Sequence, residues 1–315
     1  MKFYGLVDGS DISLRNYLNT LSGVDQIGAE ARAAMLATRS IKTTAKSWAI
    51  ETAISMVDLT TLEGADTPEK VRALCTKAVR PNPADSTVPS VAAICVYNDM
   101  VDIARKQLDL IGGKDVAVAA VSTAFPSGRA SMEVKIQDTQ DAINAGATEI
   151  DMVIDRGAFL SGRYIEVFNE IVVIRELCEG KAHLKVILET GELVTYDNVR
   201  KASFLSMLAG ADFIKTSTGK VTPAATPPVV LVMLEAVRDF HEMTSHRIGV
   251  KAAGGIRTTK DAIKQLVLVN ETVGADWLKP SLFRIGASAL LNDLLMQRMK
   301  IRDGYYPSPT YVTID

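Results

Sequence analysis

Two lysines occupy positions that lysines rarely take. Residues 211–220 read ADFIKTSTGK, an apolar run with Lys215 in its middle that opens into small residues, and residues 248–255 read IGVKAAGG, with Lys251 placed the same way before a glycine pair. A short apolar run fits a strand buried on both faces, where an ammonium is costly unless it is paired, deprotonated or used. Four roles are open to Lys215: structural ion pair, phosphate clamp, general base, or amine nucleophile forming a Schiff base. The last needs a pKa brought down from ~10.4 toward ~7–8, which burial and a neighbouring cation can supply. Lys251, on the next strand, is such a cation; its plain alternative is a salt bridge to a strand carboxylate.

Two carboxylates interrupt apolar strands in the same manner, Asp58 in MVDLT and Asp151 in EIDMV. They either neutralise the lysines or, for Asp151, move protons during carbinolamine and imine formation, which must expel water. Cys95, in VAAICVY, is expected as a packed small hydrophobe forming at most a pocket wall.

The elements that must hold these groups follow a rhythm. Strands are expected near residues 56–60, 91–97, 116–122, 148–154, 184–189, 211–217, 248–252 and 282–285. Helices are expected over 67–78, 98–110, 131–145, 164–179, 197–209, 227–243, 258–269 and 288–301. Thr67-Pro68 gives the first of these a cap and a proline start, and Gly146 and Gly210 close two others. Apolar strands alternating with helices imply parallel pairing, and eight such units point to a (β/α)₈ TIM barrel over residues 51–302. An open doubly wound sheet is the alternative, but it would show two short polar edge strands, and none is evident. Residues 1–50 form an N-terminal helical extension without catalytic signal, with helical pieces at 27–38 and 44–54. Residues 303–315 are expected to be a mobile C-terminal tail, or else a flap that brings Tyr305, Tyr306 or Tyr311 to the site.

A barrel of this kind works at the C-terminal ends of its strands and grips phosphate after strands seven and eight. Gly254, Gly255 and Arg257 follow the seventh expected strand, and Gly286 and Ser288 follow the eighth where a helix begins. Gly219 and Lys220 follow the sixth. Glycines let backbone N–H groups approach an anion, and a helix N-terminus adds its dipole, so a phosphorylated small molecule is the expected ligand.

Bulk properties narrow the rest. The 315 residues are 47% hydrophobic and 23% charged with a formal net charge of −2, which fits a soluble globular chain and argues against nucleic acid or membrane surface as a partner. No run reaches the ~18 apolar residues of a membrane span. The cysteines, Cys75, Cys95 and Cys178, are odd in number and lack CxxC spacing, so a reducing, cytoplasmic setting is expected. His183, His241 and His246 lack metal-ligand spacing. Helix surfaces show no patch that would fix an oligomeric state, and a homo-oligomer stays open.

The stretches MVDLTTL, AAICVY, TEIDMVI, LKVILETGEL, ADFIKTSTGK, GVKAAGGIRT and FRIGAS, as an ordered set over residues 56–301, resemble the deoxyribose-phosphate aldolases, class I Schiff-base enzymes. The resemblance implies an aldehyde-lyase that reversibly cleaves 2-deoxy-D-ribose 5-phosphate to D-glyceraldehyde 3-phosphate and acetaldehyde, in deoxyribonucleotide breakdown, without metal or cofactor. It also implies Lys215 as the Schiff-base lysine, Lys251 as the residue that lowers its pKa and Asp151 as the proton relay. Asp58 and Cys95 would lie at the substrate, with Asp58 supporting the lysines, and Gly219, Lys220, Gly254, Gly255, Arg257, Gly286 and Ser288 around the substrate and its phosphate. Two positions depart from the family pattern. Ala252 stands where the KPAGG motif has proline, which is expected to loosen that turn, and Ala289 replaces a second serine of the phosphate loop.

Overall fold

The computed structural model describes residues 2–308. Three helices precede the first strand: α1 (Asp11–Thr20), α2 (Gln26–Leu36) and α3 (Thr43–Ser55). Eight strands follow, β1 (Val57–Thr60), β2 (Ala93–Val96), β3 (Ala117–Ser122), β4 (Glu149–Val153), β5 (His183–Ile187), β6 (Phe213–Lys215), β7 (Gly249–Ala253) and β8 (Phe283–Ala287). They pair in parallel in sequence order, and β8 pairs back with β1 to close a barrel. The connecting helices are α4 (Pro68–Val79), α5 (Val101–Leu110), α6 (Met132–Asn144), the short α7 (Arg156–Leu160), α8 (Tyr164–Cys178), α9 (Tyr196–Leu208), α10 (Pro227–Thr244), α11 (Thr259–Val273) and, after β8, α12 (Leu290–Asp303). Closure leaves no open edge, so the doubly wound alternative is excluded.

The local chemistry of these elements is ordinary. Thr67 accepts a hydrogen bond from the Lys70 N–H with Pro68 in the first helical turn, and Thr258 with Asp261 forms a reciprocal capping box at the start of α11. Every β4 residue is buried, because its outward face lies under helices while its inward face looks into the barrel. That double burial explains why the strands read as apolar runs and why any inward charge stands out. Ile150 and Met152 belong to the apolar core, whereas Glu149 and Asp151 share the opposite face.

The N-terminal region is more ordered than its mixed composition implies. Helix α1 was not expected; Ser10 caps it by accepting from the Ser13 N–H, and Leu14 and Leu18 are fully buried. Residues 2–36 run as a strap over the outer helices: Phe3 meets Phe168 of α8 with ring centroids 5.1 Å apart, Tyr4 meets Phe240 of α10 at 5.0 Å, and Arg32 pairs with Glu235 of α10 at 2.7 Å. The boundary expected between residues 50 and 51 falls inside α3, whose Ile50, Ala53 and Ile54 are buried. At the other end α12 runs through Asp303, and Gly304, at φ +83°, closes it. The expected tail therefore begins one residue later. Tyr306 accepts a hydrogen bond from Gln297 at 2.7 Å, and the Lys300 ammonium lies 3.9 Å above its ring, so it rests on the flank of α12. Neither Tyr306 nor the exposed Tyr305 lines the cavity described below. Tyr311 lies outside the described residues.

Candidate active site

Inside the barrel, strand register sets charges side by side. Lys215 on β6 is the register partner of Lys251 on β7, Lys251 that of Arg284 on β8, and Asp151 on β4 that of Lys185 on β5. The Asp151 Oδ2 accepts from both Lys215 and Lys251 at 2.8 Å, and its Oδ1 accepts from Lys185 at 2.9 Å. Lys185 also reaches Glu149 at 2.5 Å. Lys251 forms an ion pair with the Asp58 Oδ2 at 2.6 Å, and Arg284 bridges Asp58 at 2.6 Å and Glu149 at 2.8 Å. Glu149, Lys185, Asp151, Lys251, Asp58 and Arg284 thus close a ring of three acids and three bases. Lys215 is attached to it at Asp151.

The two central lysines differ because their neighbours differ. Burial works against the charged form of Lys215, its single carboxylate partner Asp151 favours it, and Lys251 opposes it again; its pKa is lowered. Lys251 pays the same burial penalty, but Asp151 and Asp58 both hold its proton, and its pKa is raised well above the usual value. For Asp151, burial is outweighed by Lys185, Lys215 and Lys251, which hold it well below the usual carboxylate range. Lys251 is therefore the fixed cation and Lys215 the amine that can shed its proton. Of the four roles open to Lys215, a lowered pKa suits the general base and the nucleophile.

A cavity of about 820 Å³ opens above the two lysines, which form its floor. Gly219, Lys220, Gly254, Gly255, Arg257, Gly286 and Ser288 all line it. Gly254 has φ +87°, and a Cβ there would come within 2.7 Å of the Ala224 Cβ; a Cβ on Gly286 would stand 3.2 Å from the Lys251 Cε. Ala289 at the N-cap of α12 makes no side-chain cap bond, which leaves the first backbone donors of that helix without a capping side chain, and Ser288 and Ala289 line the cavity. The Lys220 ammonium is held by Glu63 at 3.0 Å, and Arg257 is exposed at the rim. Ala252 sits within a regular β7 that continues to Ala253.

Two residues expected at the substrate do not line the cavity. Asp58 is completely buried between Lys251 and Arg284, beneath the cavity floor, where it supports the lysines rather than lining the cavity. Cys95 is packed with Leu62, Ala119 and Val121, its sulfur 4.0 Å from Asp151, and is not part of the cavity wall. Asp151 is likewise behind the lysines.

Four residues that do matter to the site were missed. Lys185, Glu149 and Arg284 complete the ring, and the signal for each was the one that revealed Lys215, a charge inside an apolar strand. The fourth is Glu189, just past β5 with φ 54°, fully buried, accepting from the Thr218 hydroxyl at 2.5 Å and facing the Thr218 N–H at 3.3 Å. Burial raises its pKa. It anchors the turn that presents Gly219 and Lys220, and Gly191, where a Cβ would collide with the Pro223 carbonyl, lets the same turn dock closely.

Sequence comparison agrees with this geometry. Residues 52–296 match the model of the DeoC/LacD family of aldolases. A deoxyribose-phosphate aldolase from Homo sapiens is 46% identical over 260 residues, covering 80% of each chain, and one from Mus musculus is 45% identical over 269 residues, covering 83% of this chain and 84% of its own. Among solved structures, the tetrameric deoxyribose phosphate aldolase from Aeropyrum pernix superposes with a TM-score of 0.64 at 25% identity, over 87% of this chain and 98% of that one. A closed barrel with two register-paired lysines over a shared aspartate, matched along nearly its whole length, places this chain in the DeoC/LacD aldolase family.

Proposed function

We propose that this aldolase reversibly cleaves 2-deoxy-D-ribose 5-phosphate to D-glyceraldehyde 3-phosphate and acetaldehyde, with Lys215 as the Schiff-base nucleophile. The observation that carries the assignment is the shared Asp151 Oδ2, 2.8 Å from both lysine nitrogens. It sets a lysine with a lowered pKa beside a lysine with a raised one, at the floor of a cavity whose walls suit a phosphate.

Acetaldehyde carries C1 and C2 of the sugar, and glyceraldehyde 3-phosphate carries C3 to C5, so the bond that breaks is C2–C3. Neutral Lys215 attacks C1 of the open-chain sugar phosphate to give a carbinolamine, and loss of water gives an iminium, with Asp151 placed to shuttle protons. The C3 hydroxyl loses its proton, its oxygen becomes the carbonyl of glyceraldehyde 3-phosphate, and the C2–C3 electron pair moves into the iminium to form an enamine. Protonation of the enamine at C2 and hydrolysis of the imine release acetaldehyde and return Lys215.

The three cysteines are unpaired and buried, which supports a reducing, cytoplasmic setting for this chemistry. Borohydride reduction in the presence of acetaldehyde should leave an ethyl group on Lys215, read by peptide mapping. An adduct on another lysine, or none, would overturn the assignment, and trapping with dihydroxyacetone phosphate in place of acetaldehyde would point to an aldolase of different donor.

A further inference from the structure

We propose that Arg284 and Glu149, neither of which lines the cavity, are positioning residues that govern the charge of Lys215 through the balance of the buried ring. The proposal rests on Lys215 being the Schiff-base lysine. The ring holds three carboxylates, Asp58, Glu149 and Asp151, and three cations, Lys185, Lys251 and Arg284, each in contact with its neighbours at 2.9 Å or less. It is neutral when all six are ionised. A proton on Lys215 is then the one charge in this group of seven without a counterpart.

Asp151 faces Lys215 from β4, Lys251 from β7 and the Cys95 thiol from β2. Lys185 from β5, Asp58 from β1 and Arg284 from β8 act through Asp151 and Lys251. From β3, the register partner of Asp151 is the apolar Val121. A buried ion-pair array is a poor route to stability, since apolar packing of the same volume commonly does as well. Its use here is to fix how many protons the site holds.

The test is a sign reversal. Arg284→Met leaves the ring one charge negative, Lys215 keeps its proton more tightly, and the acid limb of the kcat/KM profile moves up by about one pH unit. Glu149→Gln leaves the ring one charge positive and moves the limb down by about as much. The double variant restores neutrality and returns the limb toward its wild-type position, and Arg284→Lys, which keeps the charge, leaves it in place. The rate of borohydride trapping at Lys215 should follow the same pH shifts. Limbs that move in the same direction in both single variants, or that stay put in folded variants, overturn the proposal. Should Arg284→Met fail to fold, the near-isosteric Glu149→Gln and the double variant still decide the sign. Absence of any Lys215 adduct in the wild-type protein would instead remove the functional assignment itself.

Discussion

At the floor of the cavity, Lys215, Lys251 and the carboxylates behind them are buried in contact with one another, whereas at its mouth Arg257 is exposed and Lys220 is held by a single, largely exposed glutamate. The same kinds of charge therefore do different work. In the floor, burial keeps screening weak, so charges in contact shift one another's protonation. At the mouth, interactions are screened over about 8 Å at physiological ionic strength, so under the proposed function those cations serve to gather a phosphate without setting proton counts.

The largest effect should come from Asp151→Asn. It removes the acceptor shared by Lys185, Lys215 and Lys251, costing about 10²–10⁴-fold in kcat through the lost proton transfer and about 3–5 kcal/mol through broken buried pairs. Rate and urea midpoint would both fall; a variant as active as Arg257→Ala would dissolve the distinction between floor and mouth. The pH dependence of the wild-type midpoint carries the same signature. Asp58 and Asp151 have lowered pKa values, so the unfolded chain takes up protons first as pH falls, and their stabilisation is lost below about pH 4. Lys185 and Lys251 have raised values, so theirs is present below about pH 10 and lost above it.

Next in size is Lys251→Leu. Losing the cation beside Lys215 should move the acid limb of kcat/KM to higher pH, by more than Arg284→Met does because Lys251 is in direct contact with the same Asp151 oxygen. The position of that limb should change little with salt. Arg257→Ala should act in the opposite manner, raising KM by about tenfold with kcat nearly kept, and weakening the dependence of KM on ionic strength. A salt-sensitive limb, or an Arg257 effect confined to kcat, would break the comparison.

The two regions were also unequally legible in the sequence. Lys215, Lys251 and Asp151 stood out because one charge in an otherwise apolar strand has no bland local explanation, and the glycines stood out by their places after successive strands. The barrel followed from the alternation itself. Lys185, Glu149 and Arg284 gave the same one-residue signal, but their meaning depends on which strands become neighbours and in what register, and β8 meets β1 only when the barrel closes. Asp58 was read as a support for the lysines and Cys95 as at most a pocket wall; that neither lines the cavity depends on depth along a four-residue strand, which the pairing decides. Helix α1 was hidden by its polar composition, only Leu14 and Leu18 of its ten residues being buried.

The smallest effect, and the finest test of the mouth, is Glu63→Gln. The 3.0 Å pair between Lys220 and Glu63 spans the cavity rim, with the glutamate 66% exposed. An exposed pair of this kind is worth about 0–1 kcal/mol. If Lys220 must leave Glu63 to meet a phosphate, removing the competing carboxylate lowers KM by up to about fivefold at low salt, with kcat and the acid limb unchanged. The gain should fade as salt screens the original pair. A rise in KM would show instead that Glu63 orients Lys220 toward the anion, and a shifted limb would mean that the mouth, too, reaches the proton balance of the floor.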